Sequence, residues 1–557
     1  MIDKPRREFQ KNESQITQPL RRKQIEEMST LAGALSYVNK KAGGMLLRSC
    51  AVHPGLNGLQ GVASVFILAL VLACSAYTKF SEGSSETFAA KGNQSEAPTI
   101  TATPSDSRFG VKEATGIMYN LSDTNSQAAQ KAVEKILAKR DDRFVAVFIE
   151  LLRADEIGIT NGLDYRTHLA ALEALSGMKF GADWPAWIEW YGTTDLVPPP
   201  GFTGWKGKLL GQIDPGFGDF LRDDLPSNIR VEEIQWGGVR VDGIPALDNA
   251  KMIPASKADY LTPGEPVFGV SINGDSRAYP LRIVDWHEMA NDVVGGVPVS
   301  LAYCTLCGAG VAYDGRASNG SVYTFGSSGF LFRSNKLMYD RQTRTLWNQL
   351  TGEPVLGKLA ATNVKLDLLP IVLTTWKDWL IQYPNTKVLD VNTGYSRPYV
   401  PGAAYGDYFA ATDTMFPVWQ RSRILPAKER VYALNLGGVA KAYPVKTLAE
   451  RKIVNDVVGE TSIVLIATRG VVTVEGENRR IGPVTYNAGG EVRVYNRGKQ
   501  KFSPGPDADT VLDSANRPWR VTEEALIGPK NERAARINGF LAYWFGWYSF
   551  FPKTLVY

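Results

Sequence analysis

Cysteine and histidine are scarce in this chain, with four of one and three of the other among 557 residues. Cys50, Cys74, Cys304 and Cys307 are too few for a fold stapled by disulfides. A single Cys-x-x-Cys excludes a closed four-cysteine zinc site within one chain, and the absence of a histidine after Cys307 excludes covalent c-type haem. His287 is the only histidine after His168, and no Gly-x-Ser-x-Gly occurs, which argues against a hydrolase of the serine-triad kind. Excess positive charge is missing from most of the chain as well. Of the 62 basic and 57 acidic residues, ten and five lie before residue 58, so the rest is charge-balanced. Nothing there draws a phosphate backbone, and nucleic acid is excluded as a partner.

The N-terminal segment is where the imbalance sits. No charged residue occurs between Arg48 and Lys79, and residues 58–77 are apolar enough and just long enough to cross a bilayer. The basic prefix 1–57 then places the N-terminus in the cytoplasm and the long body outside, with the membrane as a partner through this segment. Val71-Leu72-Ala73-Cys74 resembles a lipoprotein box, and a start at Met45 would give a signal of ordinary length. Cleaved signal, lipid anchor and retained anchor all stay open. Residues 80–108 are rich in Ser, Thr, Gly, Ala and Pro without apolar periodicity, the composition of a flexible linker.

Helical spacing follows. Ala132, Val133, Ile136 and Leu137 share a face, then Phe144, Val147, Phe148, Leu151 and Leu152, then His168, Leu169, Leu172 and Leu175. This predicts a small HEAT-like helical domain over 109–200, with His168 a packing residue, ended by Pro198-Pro199-Pro200-Gly201.

The remainder repeats itself. Residues 267–296 and 431–460 align without a gap at an offset of 164, and ten of thirty positions are identical, including Ala-Tyr-Pro and Asn-Asp-Val-Val-Gly. Trp376-x-x-Trp379-x4-Pro384-x-Thr386 matches Trp544-x-x-Trp547-x4-Pro552-x-Thr554 at an offset of 168. Two duplicated β-rich units are expected, 265–390 (within a domain 205–395) and 430–557. Asn273-Gly274 predicts a β-hairpin between strands at 267–272 and 276–280. Further strands are expected at 297–303, 311–313 and 321–325, and short helices at 282–289 and 374–383. The fold class is therefore α+β: membrane segment, helical domain, two β-rich copies.

Comparing the copies separates what the scaffold needs from what it can lose. Cys304, Cys307 and His287 correspond to Thr468, Val471 and Arg451, and Trp286 and Glu288 to Glu450 and Lys452. The thiols and the imidazole occur once, as expected of a site grafted onto a duplicated scaffold. Two thiolates at this spacing can grip a soft metal with His287 as a third ligand. They can also form a redox-active disulfide or an inert structural one. A strand-and-turn setting favours the metal.

YCTLCGAGVAYDGR followed by YTFGSSGFLFRSNKLMYDRQTRTLWNQLTGEPVLG, with DGIPALDNAKMIPASKADYL upstream and Asp285-Trp286-His287-Glu288 between, resembles the bacterial family of unknown function DUF3179. The resemblance covers most of 205–395 and, more weakly, 430–557. It implies an exported, often anchored protein and brings no settled reaction. Within its motif Met338 and Asp340 are candidate outer ligands, and Trp347, Asn348 and Gln349 candidate pocket walls. The expectation is an extracytoplasmic metal-binding protein with ligands Cys304, Cys307, His287 and Met338. Copper comes first and zinc second, serving redox chemistry or metal delivery. The alternatives are a thiol–disulfide redox protein and a non-catalytic scaffold.

Overall fold

Asn273 and Gly274 both take positive φ, 50° and 81°, and the tight turn they make joins the strands Pro266–Ile272 and Asp275–Pro280 in antiparallel register. This hairpin is the seed of the first of several sheets in a mixed helix-and-sheet protein. The computed structural model describes residues 108–160 and 162–557. The prefix 1–57, the segment 58–77 and the linker up to residue 107 lie outside the described residues. Among the described residues no helix is long and apolar enough to cross a membrane.

Helices come first in the chain: Val111–Leu121, Ser126–Lys139, Phe144–Glu156, Tyr165–Ser176, Trp184–Tyr191, Phe202–Leu210 and the short Phe217–Phe220. Their starts follow capping chemistry. The side chains of Asn125, Asp164 and Asp183 each accept a backbone N–H of the first turn. Phe144–Glu156 is the central helix, and most of its residues are buried. His168 is buried and places Nδ1 2.7 Å from Asp155 Oδ2, a packing role inside the helical core. The buried Lys206 ammonium donates to Glu150 and to the carbonyls of Val231 and Ile234. It thereby ties the helices to the strand Ile234–Trp236.

Two four-strand arrangements share one order. In the first, Val372–Thr375, Pro266–Ile272, Asp275–Pro280 and Lys387–Leu389 lie side by side, with Met252–Pro254 added at the edge. In the second the order is Phe540–Tyr543, Arg430–Leu436, Val439–Pro444 and Leu555–Val556. In both, the first two pairings are antiparallel and the last is parallel. The repeated motifs make the same hydrogen bonds. Tyr279 donates to Asp292 and Tyr443 to Asp456, so Ala-Tyr-Pro is tied to Asn-Asp-Val-Val-Gly. Trp379 and Trp547 each donate to a threonine, Thr386 and Thr554, at 2.9 Å, which accounts for the spacing of the shared ending.

The halves diverge beyond this sheet. In the second, eight strands from Ile453–Val458 to Phe502–Pro504 curl into a nearly closed barrel. The exposed Asn455 bridges the two edges by hydrogen bonds to both backbone groups of Phe502, at 2.7 and 2.9 Å. In the first, Met289–Val294, Val297–Cys304 and Ala309–Asp314 form one sheet with Leu247–Asp248, and Phe325–Phe332 and Asn335–Asp340 belong to another. Asn291 joins these sheets through both backbone groups of Phe325, at 2.8 and 3.0 Å. The strand expected at 321–325 starts only at Phe325 and continues to Phe332. Before it lies the Gly320 turn, with φ 78°, and a single bridge of Val322 to Arg316. One hydrophobic core runs through both halves and includes Tyr399, Tyr408, Phe409 and Val418 from the stretch between them.

Asn291 is buried and also bonds Asp248 and Ser300, whereas Asn455 is exposed. Removing a buried amide leaves its partners unsatisfied, so Asn291→Ala should cost about 2–4 kcal/mol and Asn455→Ala under about 1 kcal/mol. Urea unfolding of the two variants measures the difference, and equal losses would contradict the shared-clamp account.

Candidate functional site

Cys304 ends the strand Val297–Cys304 and pairs in register with Ala309, the first residue of Ala309–Asp314. The motif is therefore the tip of a hairpin, with Thr305, Leu306, Cys307 and Gly308 in the turn. Gly308 has φ 59°, and a methyl group there would lie 1.9 Å from Arg430 Nη1. Only glycine satisfies both the conformation and the crowding.

Three carbonyls at the tip are met from the C-terminal half of the chain. Tyr408 Oη donates to Leu306 O at 2.6 Å, Tyr543 N–H to Cys307 O at 2.7 Å and Arg430 Nη1 to Gly308 O at 2.8 Å. Gly546 packs so closely that a side chain on it would lie 2.6 Å from Cys307 Cβ. The tip is thus roofed by the second half.

Both cysteines are free and buried, and they are unequal. Burial works most strongly against a Cys304 thiolate, and the Glu288 carboxylate adds to it. Hydrogen bonding from Cys307 and from the backbone at Cys307 and Lys336 outweighs both and holds Cys304 below the ordinary thiol value, while the Cys307 thiol itself lies 4.0 Å from the Cys304 carbonyl. Cys307 is pushed well up, first by burial and then by its bond to Cys304.

Around the sulfurs lies a polar frame. Asn335 Nδ2 donates to Cys307 Sγ at 3.0 Å and to Gln349 Oε1 at 2.8 Å. Gln349 Nε2 donates to the carbonyls of Ala302 and Ala309, at 3.0 and 2.9 Å, on the two strands that carry the turn. On the Cys304 side, Glu288 accepts from Thr305 Oγ1 at 3.0 Å and from Lys336 Nζ at 2.9 Å, with both charged groups buried. Glu288 stands at φ 56° at the end of the helix Leu281–His287, and its carbonyl accepts Tyr303 N–H, which turns its side chain toward the hairpin tip.

The expected ligands do not assemble as a set. His287 donates or accepts at both ring nitrogens, Nδ1 with Pro245 O at 2.8 Å and Nε2 with Tyr399 Oη at 2.6 Å. Burial holds its ring below the usual imidazole value. It acts as a strut between its helix and the 393–399 loop. Met338 is fully buried in the apolar core shared with Trp347. Asp340 accepts from Thr343, Thr345 and Trp347 and closes its own turn. Asn348 caps the next turn through Leu350 and Thr351, and only Gln349 of that trio reaches the thiol frame. Among the described residues no group of three or more His, Cys, Asp or Glu side chains is arranged to hold a metal. Cys304 and Cys307 share the hairpin tip, while His287 and Met338, expected beside them, are held by other partners. Spacing along the chain leaves the direction of a helix-terminal side chain free, and here tyrosine and carbonyl partners fix it elsewhere.

Glu288, Lys336, Asn335 and Arg430 are the residues that sequence reasoning missed. Glu288 carried a signal, since its counterpart in the second copy is Lys452, the same single occurrence that drew attention to the cysteines. The other three come from far along the chain.

Comparison with known proteins adds a family and no activity. A family model described as a protein of unknown function (DUF3179) matches residues 241–554. No curated protein matches the chain, and no solved structure does. The family match runs from the approach to the first sheet through to Thr554, the partner of Trp547, and so takes in both the thiol hairpin and its roof: the chain belongs to the DUF3179 family.

Proposed function

We propose that Cys304 and Cys307 form a dithiol–disulfide centre that exchanges two electrons with a partner disulfide. The observation that carries this reading is a pair of free cysteines held at one hairpin tip, with Asn335 donating to Cys307 Sγ; burial and hydrogen bonding move the two thiols in opposite directions, Cys304 down and Cys307 up. A low thiol attacks and a high one resolves. The Cys304 thiolate bonds to one sulfur of the partner disulfide, and the other partner sulfur leaves as a thiolate. Cys307 gives up its proton and attacks the Cys304 sulfur, which releases the second partner thiolate. One S–S bond breaks in the partner and one forms between Cys304 and Cys307. Two electrons pass to the partner, together with the Cys307 proton and one proton from solvent, and the reverse sequence returns them. Asn335 steadies Cys307, and the Glu288–Lys336 pair borders Cys304.

The setting proposed for this chemistry is extracytoplasmic, with attachment through residues 58–77, supported by the basic prefix and the apolar run. Disulfides persist there. We further propose that 265–390 and 430–557 descend from one unit, supported by the matching strand orders and the paired Tyr–Asp and Trp–Thr bonds. The helices over 109–200 are proposed as HEAT-like pairs, supported by their lengths and short connections.

A copper reading survives in a narrower form. Two adjacent soft sulfurs suit one monovalent copper ion in two-coordinate geometry. Zinc would need two further ligands, and neither His287 nor Met338 is free to serve.

Two measurements test these readings. In the full chain equilibrated across glutathione redox buffers, peptide-mapped alkylation should show Cys304 and Cys307 modified together or not at all. In Cys307→Ser the remaining thiol should alkylate with a midpoint below about pH 8.5, and in Cys304→Ser above it. A pair that never closes, or the opposite order of midpoints, would overturn the dithiol reading. Against a competing copper(I) chelator, His287→Ala should bind as wild type does and Cys304→Ser should not bind. Equal losses in the two variants would restore the imidazole as a ligand and refute the two-sulfur site.

A further inference from the structure

Beside the thiol hairpin lies a buried polar cluster that the dithiol chemistry does not use. Arg430 is buried, and its guanidinium rests 3.9 Å from the Tyr543 ring centroid while donating to the carbonyls of Gly308 and Asn487. Its Nη2 has no partner. Asp285, buried on the helix Leu281–His287, faces this cation without touching it, and its Oδ1 is also unpartnered. Tyr486 Oη and Tyr543 Oη complete a set of four buried polar atoms with no hydrogen bond. They belong to one place, since Asp285 and Arg430 both act electrostatically on Tyr303, Tyr486 and Tyr543, and Tyr543 also senses Cys307.

Four unsatisfied atoms around one uncompensated buried cation are costly. Each orphaned group forfeits its hydrogen bond to water without a replacement, and an unpaired buried charge forfeits more. The cluster is also specific to one side of the pseudo-repeat: Asp285 corresponds to Ala449, Arg430 to Pro266 and Tyr543 to Thr375. A scaffold requirement would have kept these residues in both copies.

We infer that Asp285, Arg430, Tyr486 and Tyr543 form a binding site for a small carboxylate or similarly shaped oxyanion, seated against the Cys304–Cys307 hairpin. Arg430 supplies the charge and one N–H, and the two phenols supply O–H donors. Burial pushes the Asp285 carboxyl up against the pull of Arg430, and when protonated it would supply a fourth donor. Three side chains come from the second half and one from the first, so the ligand would bridge the halves at the thiols. This inference stands apart from the dithiol reading, because anion binding and thiol oxidation are measured separately.

Thermal unfolding of the full chain in sodium acetate, against sodium chloride at equal ionic strength and pH, tests it. Acetate should raise the unfolding temperature along a saturating curve that chloride does not reproduce. Tyr486→Phe and Tyr543→Phe should each weaken the apparent acetate affinity about tenfold or more, and Arg430→Gln should abolish it. Should Arg430→Gln fail to fold, the two phenol variants decide alone. An acetate response absent from wild type, or unchanged in both phenol variants, overturns the site. So does a pair of Phe variants that are simply more stable than wild type with no change in acetate response, the behaviour of orphan hydroxyls facing no ligand.

Discussion

Capture of the Cys307 carbonyl by the Tyr543 amide, at 2.7 Å, is the contact on which the rest of the site hangs. The amide is the last of the strand Phe540–Tyr543, which pairs with Arg430–Leu436. Holding it therefore delivers the Arg430 guanidinium to Gly308 O and the Gly546 backbone to the flank of Cys307. A turn this buried has carbonyls that must find donors, and the chain supplies them from 102, 122 and 236 positions away. The hairpin tip and its roof are consequently one object, and neither half of the duplicated region would enclose the sulfurs alone.

That dependence explains what a linear reading could and could not find. The Asn273-Gly274 hairpin, the matching order of the two four-strand sheets and the isolated Cys-x-x-Cys were legible because each is encoded within thirty residues or by internal comparison. The Tyr–Asp and Trp–Thr bonds even give the conserved letters their reasons. Sequence distance misled at His287. It stands close to the cysteines along the chain, and the helix end aims it at Tyr399, while the adjacent Glu288 turns inward through a positive φ. Nothing local announces that one residue of a helix end points to the site and its neighbour away from it. Met338 was misleading for a plainer reason. A methionine in a strand of alternating side chains is core filler far more often than ligand, and here it sits with Trp347. Asn335 and Lys336 precede it in the same strand and reach the sulfurs and Glu288, yet polar residues in a buried strand carry no label of their target.

Charge placement around the sulfurs follows one rule, that burial is tolerated only where a counterpart is fixed nearby. Lys336 is buried because Glu288 meets it, and Glu288 because Thr305 and Lys336 together satisfy both its oxygens. Arg493, at the heart of the second half, is likewise saturated by Glu491, Glu523 and Gln382. Arg430 breaks the rule. Its ring contact with Tyr543 is worth about 0.5–2 kcal/mol, well short of the several kcal/mol that desolvating a cation costs. Arg536 is the comparable case, with Nε and Nη1 unpartnered and Glu523 3.7 Å away, but Arg430 is the one whose guanidinium also bonds the thiol hairpin, through Gly308 O.

The second copy has therefore not decayed into padding. It lost the cysteines and the acidic helix end, with Thr468 now bonded to Ala508 O and Lys452 exposed where Glu288 is buried. In exchange it closed its own strands into a nearly complete barrel and turned its first and last sheet strands over the surviving hairpin. The two sheets share a strand order, and they differ where the edge of the second meets the thiol hairpin of the first. Gly308, Arg430 and Gly546 are the record of that meeting. A side chain at either glycine would collide with the partner half, so the division of labour is built into backbone positions that neither copy could hold without the other.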